Sequence, residues 1–98
     1  MMQKEQREQK IVVTISGSDK VGIVAKITAT LAQCQVNIED IRQTIMQGHF
    51  VMLMLCDISK SPKPFKEIKE EITTAGKSLE MEVWIQRKEI FDSMHTLA

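Results

Sequence analysis

The run Ile11-Val12-Val13-Thr14-Ile15-Ser16, followed by Gly17-Ser18-Asp19-Lys20-Val21-Gly22-Ile23-Val24, is where this chain changes its hydrophobic period. The first six residues are mostly β-branched and suit a pleated strand. Gly17-Ser18-Asp19 closes that strand with a turn. From Ile23 onward, Ile23, Val24, Ile27, Thr28, Leu31 and Cys34 recur at helical spacing, with Ala25, Ala29 and Ala32 as strong helix formers between them. The spacing predicts a helix over 22–35, about four turns long. Its expected cap is Ser18 or Asp19, whose side-chain oxygen can accept from a first-turn amide.

Working outward, Asn37 ends the following loop, and residues 38–46 read as a strand with Ile41 and Ile45 on one face. Gln47-Gly48 is a tight hairpin signal. Phe50-Val51-Met52-Leu53-Met54-Leu55-Cys56 is apolar at every position, as expected of a central strand covered on both faces. Ser61-Pro62-Lys63-Pro64 breaks the chain ahead of a second helix. Phe65, Ile68, Ile72 and Ala75 mark that helix's inner face, and Lys66, Glu67, Lys69, Glu70 and Glu71 its solvated side. Gly76 is the expected helix stop. Leu79, Met81, Val83 and Ile85 then alternate with polar neighbours and Trp84 as a last strand. Ile90, Phe91, Met94 and Leu97 suggest a short tail helix over 89–98, and residues 1–9 form a polar extension, expected to be flexible.

The order β-α-β-β-α-β predicts an α+β chain of the ferredoxin-like kind. Two right-handed β-α-β crossings joined by a hairpin form a four-stranded antiparallel sheet with both helices on one face. Such a sheet leaves its other face open. Either assignment of the third strand puts apolar side chains there, and Val12 of the first strand joins them. A second copy of the chain is expected to cover that face, with the tail helix contributing; the alternative is that the tail helix alone covers it within one chain.

Ninety-eight residues make one domain. Thirteen basic residues balance thirteen acidic ones, which argues against nucleic acid, since phosphate binding needs a basic surplus or stripe. The base-stacking use of this fold needs aromatics on the central strands, and the first strand has none. Cys34 and Cys56 form no Cys-x-x-Cys pair and lie in apolar-periodic segments, as small buried thiols of a cytoplasmic protein do. The amino-terminal segment lacks the apolar core of a signal peptide, and no apolar run reaches membrane-spanning length. No cofactor or metal is expected. His49 and His95 belong to no catalytic or metal motif, and Glu39 and Asp40, adjacent on a strand, should point to opposite faces. With no nucleophile–base pair to name, the chain is expected not to be an enzyme.

The loop from Asp19 to Ile23 joins a central strand to a helix N-terminus, where unpaired amides suit a carboxylate or phosphate. On spacing alone, a plain cap and turn is the favoured explanation. The stretches Val12-Thr14-Ser16-Gly17, Ser18-Asp19-Lys20-Val21-Gly22-Ile23-Val24-Ala25 and Asn37-Ile38-Glu39-Asp40-Ile41 add more. Together they resemble the ACT domain family over residues 10–88. The resemblance is strongest to its small single-domain members and to the ACT modules of the glycine cleavage repressor and formyltetrahydrofolate deformylase.

That resemblance implies a regulatory module that binds a small molecule, most naturally an amino acid, at the interface of a homodimer. It implies Asp19 and Asn37 as polar contacts and Gly22 as the position of close approach. The amides of Val21, Gly22 and Ile23 would take the carboxylate, Lys20 belongs to the same loop, and Ile38 would line the pocket. No second domain is attached within these residues, so any regulated protein would be a separate partner. The alternative is a dimerisation or interaction module whose loop is only structural.

Overall fold

The computed structural model describes residues 9–94. The polar extension expected over 1–9 therefore lies almost wholly outside the described residues, as do His95 and Leu97. Strand β1 (Lys10–Ser18) leads into helix α1 (Ile23–Gln33), then β2 (Asn37–Met46), β3 (His49–Asp57), helix α2 (Phe65–Ser78), β4 (Glu82–Arg87) and a short helix α3 (Lys88–Met94). The sheet order is β2-β3-β1-β4, and every neighbouring pair is antiparallel. The predicted α+β fold and its element order are those of the structure.

Nine residue pairs align β1 with β3, from Lys10 opposite Asp57 to Ser18 opposite His49. Directly opposed residues share a face. Ile11, Val13 and Ile15 therefore meet Cys56, Met54 and Met52, and all six are completely buried beneath Ile23, Ile27 and Leu31 of α1 and Ile68 and Ile72 of α2. The side of β3 turned to the helices is thus Phe50, Met52, Met54 and Cys56, and Val51, Leu53 and Leu55 face the other way. No polar or charged residue is buried among those described. Fully burying side chains of this size is worth about 1.5–3 kcal/mol each, so this layer dominates stability.

Three expectations are corrected. Helix α1 begins one residue later than predicted, and its N-cap position is Gly22, in the left-handed region at φ 92°, not Ser18 or Asp19. Gly76 does not stop α2. It is buried inside the helix, where an added Cβ would collide with Cγ2 of Val83 on β4. The chain is turned instead by Glu80 at φ 61°, with the amide of Met81 donating to the Gly76 carbonyl. Finally, β2 is irregular between Ile38 and Asp40, so Glu39 sits in a bulge and simple alternation fails there. Glu39 pairs with Lys10 at 2.8 Å and Asp40 with Arg42 at 3.4 Å.

The open face is only partly open. Val12 points away from α1 and α2, yet is 6% exposed, because α3 folds back over β1 and β4 and brings Phe91 to it. Apolar residues remain exposed on both sides of the sheet. Ile41, Ile45 and Met46 lie on edge strand β2, none of whose residues is buried, and Trp84 is half exposed on β4.

Gly76→Ala tests the close approach of α2 to β4. Alanine is the better helix former by about 1 kcal/mol, but overpacking costs about 1–3 kcal/mol. Urea unfolding should show a net loss, and Val83→Ala should recover it in the double variant.

Candidate functional site

The expected site residues fall into two groups, and β1 and β3 decide where each lies. The loop 19–22 leaves the end of β1 where Ser18 opposes His49, and the Asp19 amide donates to the carbonyl of Gly48 in the hairpin turn at 2.9 Å. Asn37 begins β2 opposite Asp57, at the other end of the same ladder. Eight residue steps along β3 separate the two levels, about 26 Å at 3.3 Å per residue. Asp19, Lys20, Val21, Gly22 and Ile23 are therefore together, and Asn37 and Ile38 of the same chain are far from them.

Within the loop each residue has a distinct circumstance. Gly22, having no side chain, cannot cap α1, and neither Ser18 nor Asp19 makes a side-chain hydrogen bond among the described residues. The first bond of the helix runs from the Lys26 amide to the Gly22 carbonyl at 3.0 Å. The amides of Ile23, Val24 and Ala25 precede it and have no partner within the helix. They carry the positive end of the helix dipole. Asp19 is exposed, its carboxylate unused, at the same end of the sheet. Val21 is 99% exposed, an unusual state for a valine.

Lys20 does something the sequence did not suggest. Its ammonium donates to the Leu79 carbonyl at 2.7 Å and lies 3.4 Å from Glu80. It therefore satisfies a carbonyl just past the last turn of α2, where a cation is favoured. The loop is anchored to the far helix by this bond, and Lys20 is committed before any ligand arrives. At the second group, Asn37 is exposed and Ile38 partly buried against the core, with β2's outer edge carrying no strand among the described residues.

Other reactive groups are accounted for locally. His49 Nε2 lies 3.0 Å from Ser16 Oγ, both at the sheet surface, and no third group completes a catalytic arrangement. Burial pushes the Cys56 thiol up to about 12, with the Glu39 carboxylate adding to the shift. Burial also raises the Cys34 thiol, helped by its hydrogen bond to Glu71. Lys63 hydrogen-bonds the Glu71 carboxylate and holds it below the usual range. Among the described residues, no three His, Cys, Asp or Glu side chains converge as metal ligands, and no helix is long and apolar enough to cross a membrane.

A family model described as ACT domain matches residues 9–86. A UPF0237 protein of Listeria innocua is 49% identical over 88 residues, covering 90% of this chain and 99% of that protein. Among solved structures, an ACT domain protein from Streptococcus pneumoniae is similar at TM-score 0.74 and 29% identity, over 94% of this chain and all of that one. A formyltetrahydrofolate deformylase from Pseudomonas syringae shares the fold at TM-score 0.74 and 24% identity, over 83% of this chain but 28% of the enzyme.

Two outcomes are expected. Asp19→Ala should leave stability within about 0.5 kcal/mol, because Asp19 caps nothing, whereas Gly22→Ala should lose about 1–2 kcal/mol by forcing a Cβ into the left-handed region. Thermal or urea unfolding separates the two. Neither cysteine should react with a disulfide probe such as DTNB at neutral pH in the native state, and both should react in denaturant.

Proposed function

The chain belongs to the ACT domain family, and we propose that it is a regulatory module that binds a small zwitterionic metabolite, an amino acid by preference, across the interface of a homodimer. One observation carries this reading. The two halves of the site lie at opposite ends of the sheet, and the strand that runs between them, β2, is an unpaired edge. A single chain cannot bring them together, but a two-fold axis can.

Antiparallel pairing of β2 with β2 of a second copy sets the Asn37 end of one strand beside the Met46 end of the other. The Asp19 loop is tied to that end through Gly48. Strands are spaced about 4.8 Å apart and the incoming strand stands three places from β1, so about 14 Å separates β1's loop from it, a span that a small metabolite and the side chains reaching toward it can fill. The pairing also buries Ile41, Ile45 and Met46, which are 39%, 53% and 66% exposed in the single chain. Long apolar edge strands are otherwise sites of uncontrolled association.

The chemistry suits a zwitterion. The free amides at the start of α1 take the carboxylate, helped by the helix dipole. Asp19 accepts from the ammonium group, Asn37 of the second copy offers both a donor and an acceptor, and Ile38 with Val21 borders the side chain. Binding draws on both subunits, so occupancy favours one subunit arrangement over another, and a separate protein can read that shift.

A thermal-shift screen of the twenty amino acids tests the reading, since a ligand at a hundred times its Kd adds about 2.7 kcal/mol. Asp19→Ala and Asn37→Ala should each abolish the response while leaving the dimer intact. Mixing and re-equilibrating the two variants should restore about a quarter of the sites, because each mixed dimer contains one wild-type half-site pair. No recovery on mixing would place both halves within one chain. Silence from every amino acid would leave a dimerisation module without a ligand.

A further inference from the structure

The open sheet face carries two unfilled clefts, and helix α3 carries two apolar side chains that stay largely exposed, Ile90 and Met94, the latter with its sulfur accepting from Gln86 Nε2 at 3.1 Å. The first cleft, about 160 Å³, lies between Val12, Leu53, Leu55 and Phe91. The second, about 210 Å³, lies between Arg42, Thr44, Val51 and Leu53. Both are below the size range of small-molecule sites, about 300 Å³ upward, and on the scale of one side chain each. They share Leu53 and are offset by about two residues along β3, roughly 6.6 Å.

Helix α3 rests Phe91 on the sheet and leaves Ile90 49% and Met94 64% exposed. These two are four residues apart on one helix face, about 6 Å along the axis. The spacing of the side chains matches the spacing of the clefts. On its own chain α3 cannot fill them, because its sheet-facing side already presents Phe91.

We propose that a second copy of this chain docks on the open sheet face, each α3 inserting Ile90 and Met94 into its partner's two clefts. A two-fold contact makes this self-complementary: both copies supply the same side chains and the same clefts. Charge agrees with that arrangement. Asp40, Arg42, Lys88 and Asp92 all line the first cleft, two of each sign, so its rim carries no net charge to repel a second copy. Area agrees as well. Trp84, Ile90 and Met94 with the half-buried β3 residues leave on the order of 350 Å² of apolar surface per copy. At about 60% apolar, the pair would bury roughly 1,200 Å², the lower bound of a stable interface. Although Arg42 and Thr44 of β2 line the second cleft, this face is separate from the outer edge of that strand, so its use does not depend on the ligand reading.

The test is the assembly mass of the full-length protein by sedimentation velocity. Ile90→Glu with Met94→Glu, which removes the inserted side chains, should halve the mass or weaken association by about tenfold or more. Leu53→Glu, which blocks both clefts, should do the same, with circular dichroism confirming that each variant is folded. Mixing the two variants should restore association in part, since one set of side chains and one pair of clefts remain intact in each mixed pair. A monomeric wild-type chain, variants of unchanged mass, or mixtures that stay at the lower mass would each overturn the proposal.

Discussion

The nine-pair register between β1 and β3 is the constraint on which the rest of this molecule depends. It sets Ile11, Val13 and Ile15 against Cys56, Met54 and Met52 on the face that both long helices cover. Side chains alternate with a period of two, so a slip of one residue would expose every one of them and bury Thr14 and Ser16 instead. The same register sets the levels of everything attached to these strands. The loop leaving β1 is held at the hairpin end, and the start of β2 at the opposite end. The separation of the two groups of candidate residues is a consequence of a ladder built to form the core.

Local features of the loop follow from that placement. With Gly22 at the N-cap, the first amides of α1 lack the side-chain acceptor that most helices provide. Lys20 meanwhile turns away to the end of α2 and anchors the loop. The segment is thus held from behind by a charge-assisted bond and left open in front. A loop serving only as a turn would gain stability from a serine or aspartate at position 22, at the expense of the left-handed backbone that glycine permits.

Much of the fold was legible in the sequence because the signals were redundant. The change of period at Ile23, the Gln47-Gly48 turn and the uniformly apolar third strand each pointed to one order of elements. Where a single residue type had two uses, reading failed. Gly76 was a plausible helix stop, but a glycine also serves where a strand approaches closely, and only Val83 in space distinguishes the two. Ser18 and Asp19 were plausible caps for the same reason. The candidate residues could be named from the family resemblance, yet their separation could not be read, because it depends on strand pairing between residues far apart in sequence. The role of Lys20 was invisible for that reason too: its partner, Leu79, is 59 positions away. The partial covering of Val12 likewise depends on the direction in which α3 turns back, and periodicity carries no information on that.

The position of β1 in the sheet has a consequence for how the molecule is made. As the chain leaves the ribosome, β2 and β3 emerge joined by a two-residue turn and can pair at once. The first strand must remain available on both edges, one for β3 and the other for β4, whose residues appear some seventy positions later. Until then, the flank that β4 will occupy is an unsatisfied template with Ile11, Val13 and Ile15 alongside it. Closure of the core therefore waits for nearly the whole described chain to be synthesised, and the interval before β4 arrives is when the nascent protein is most exposed to mispairing.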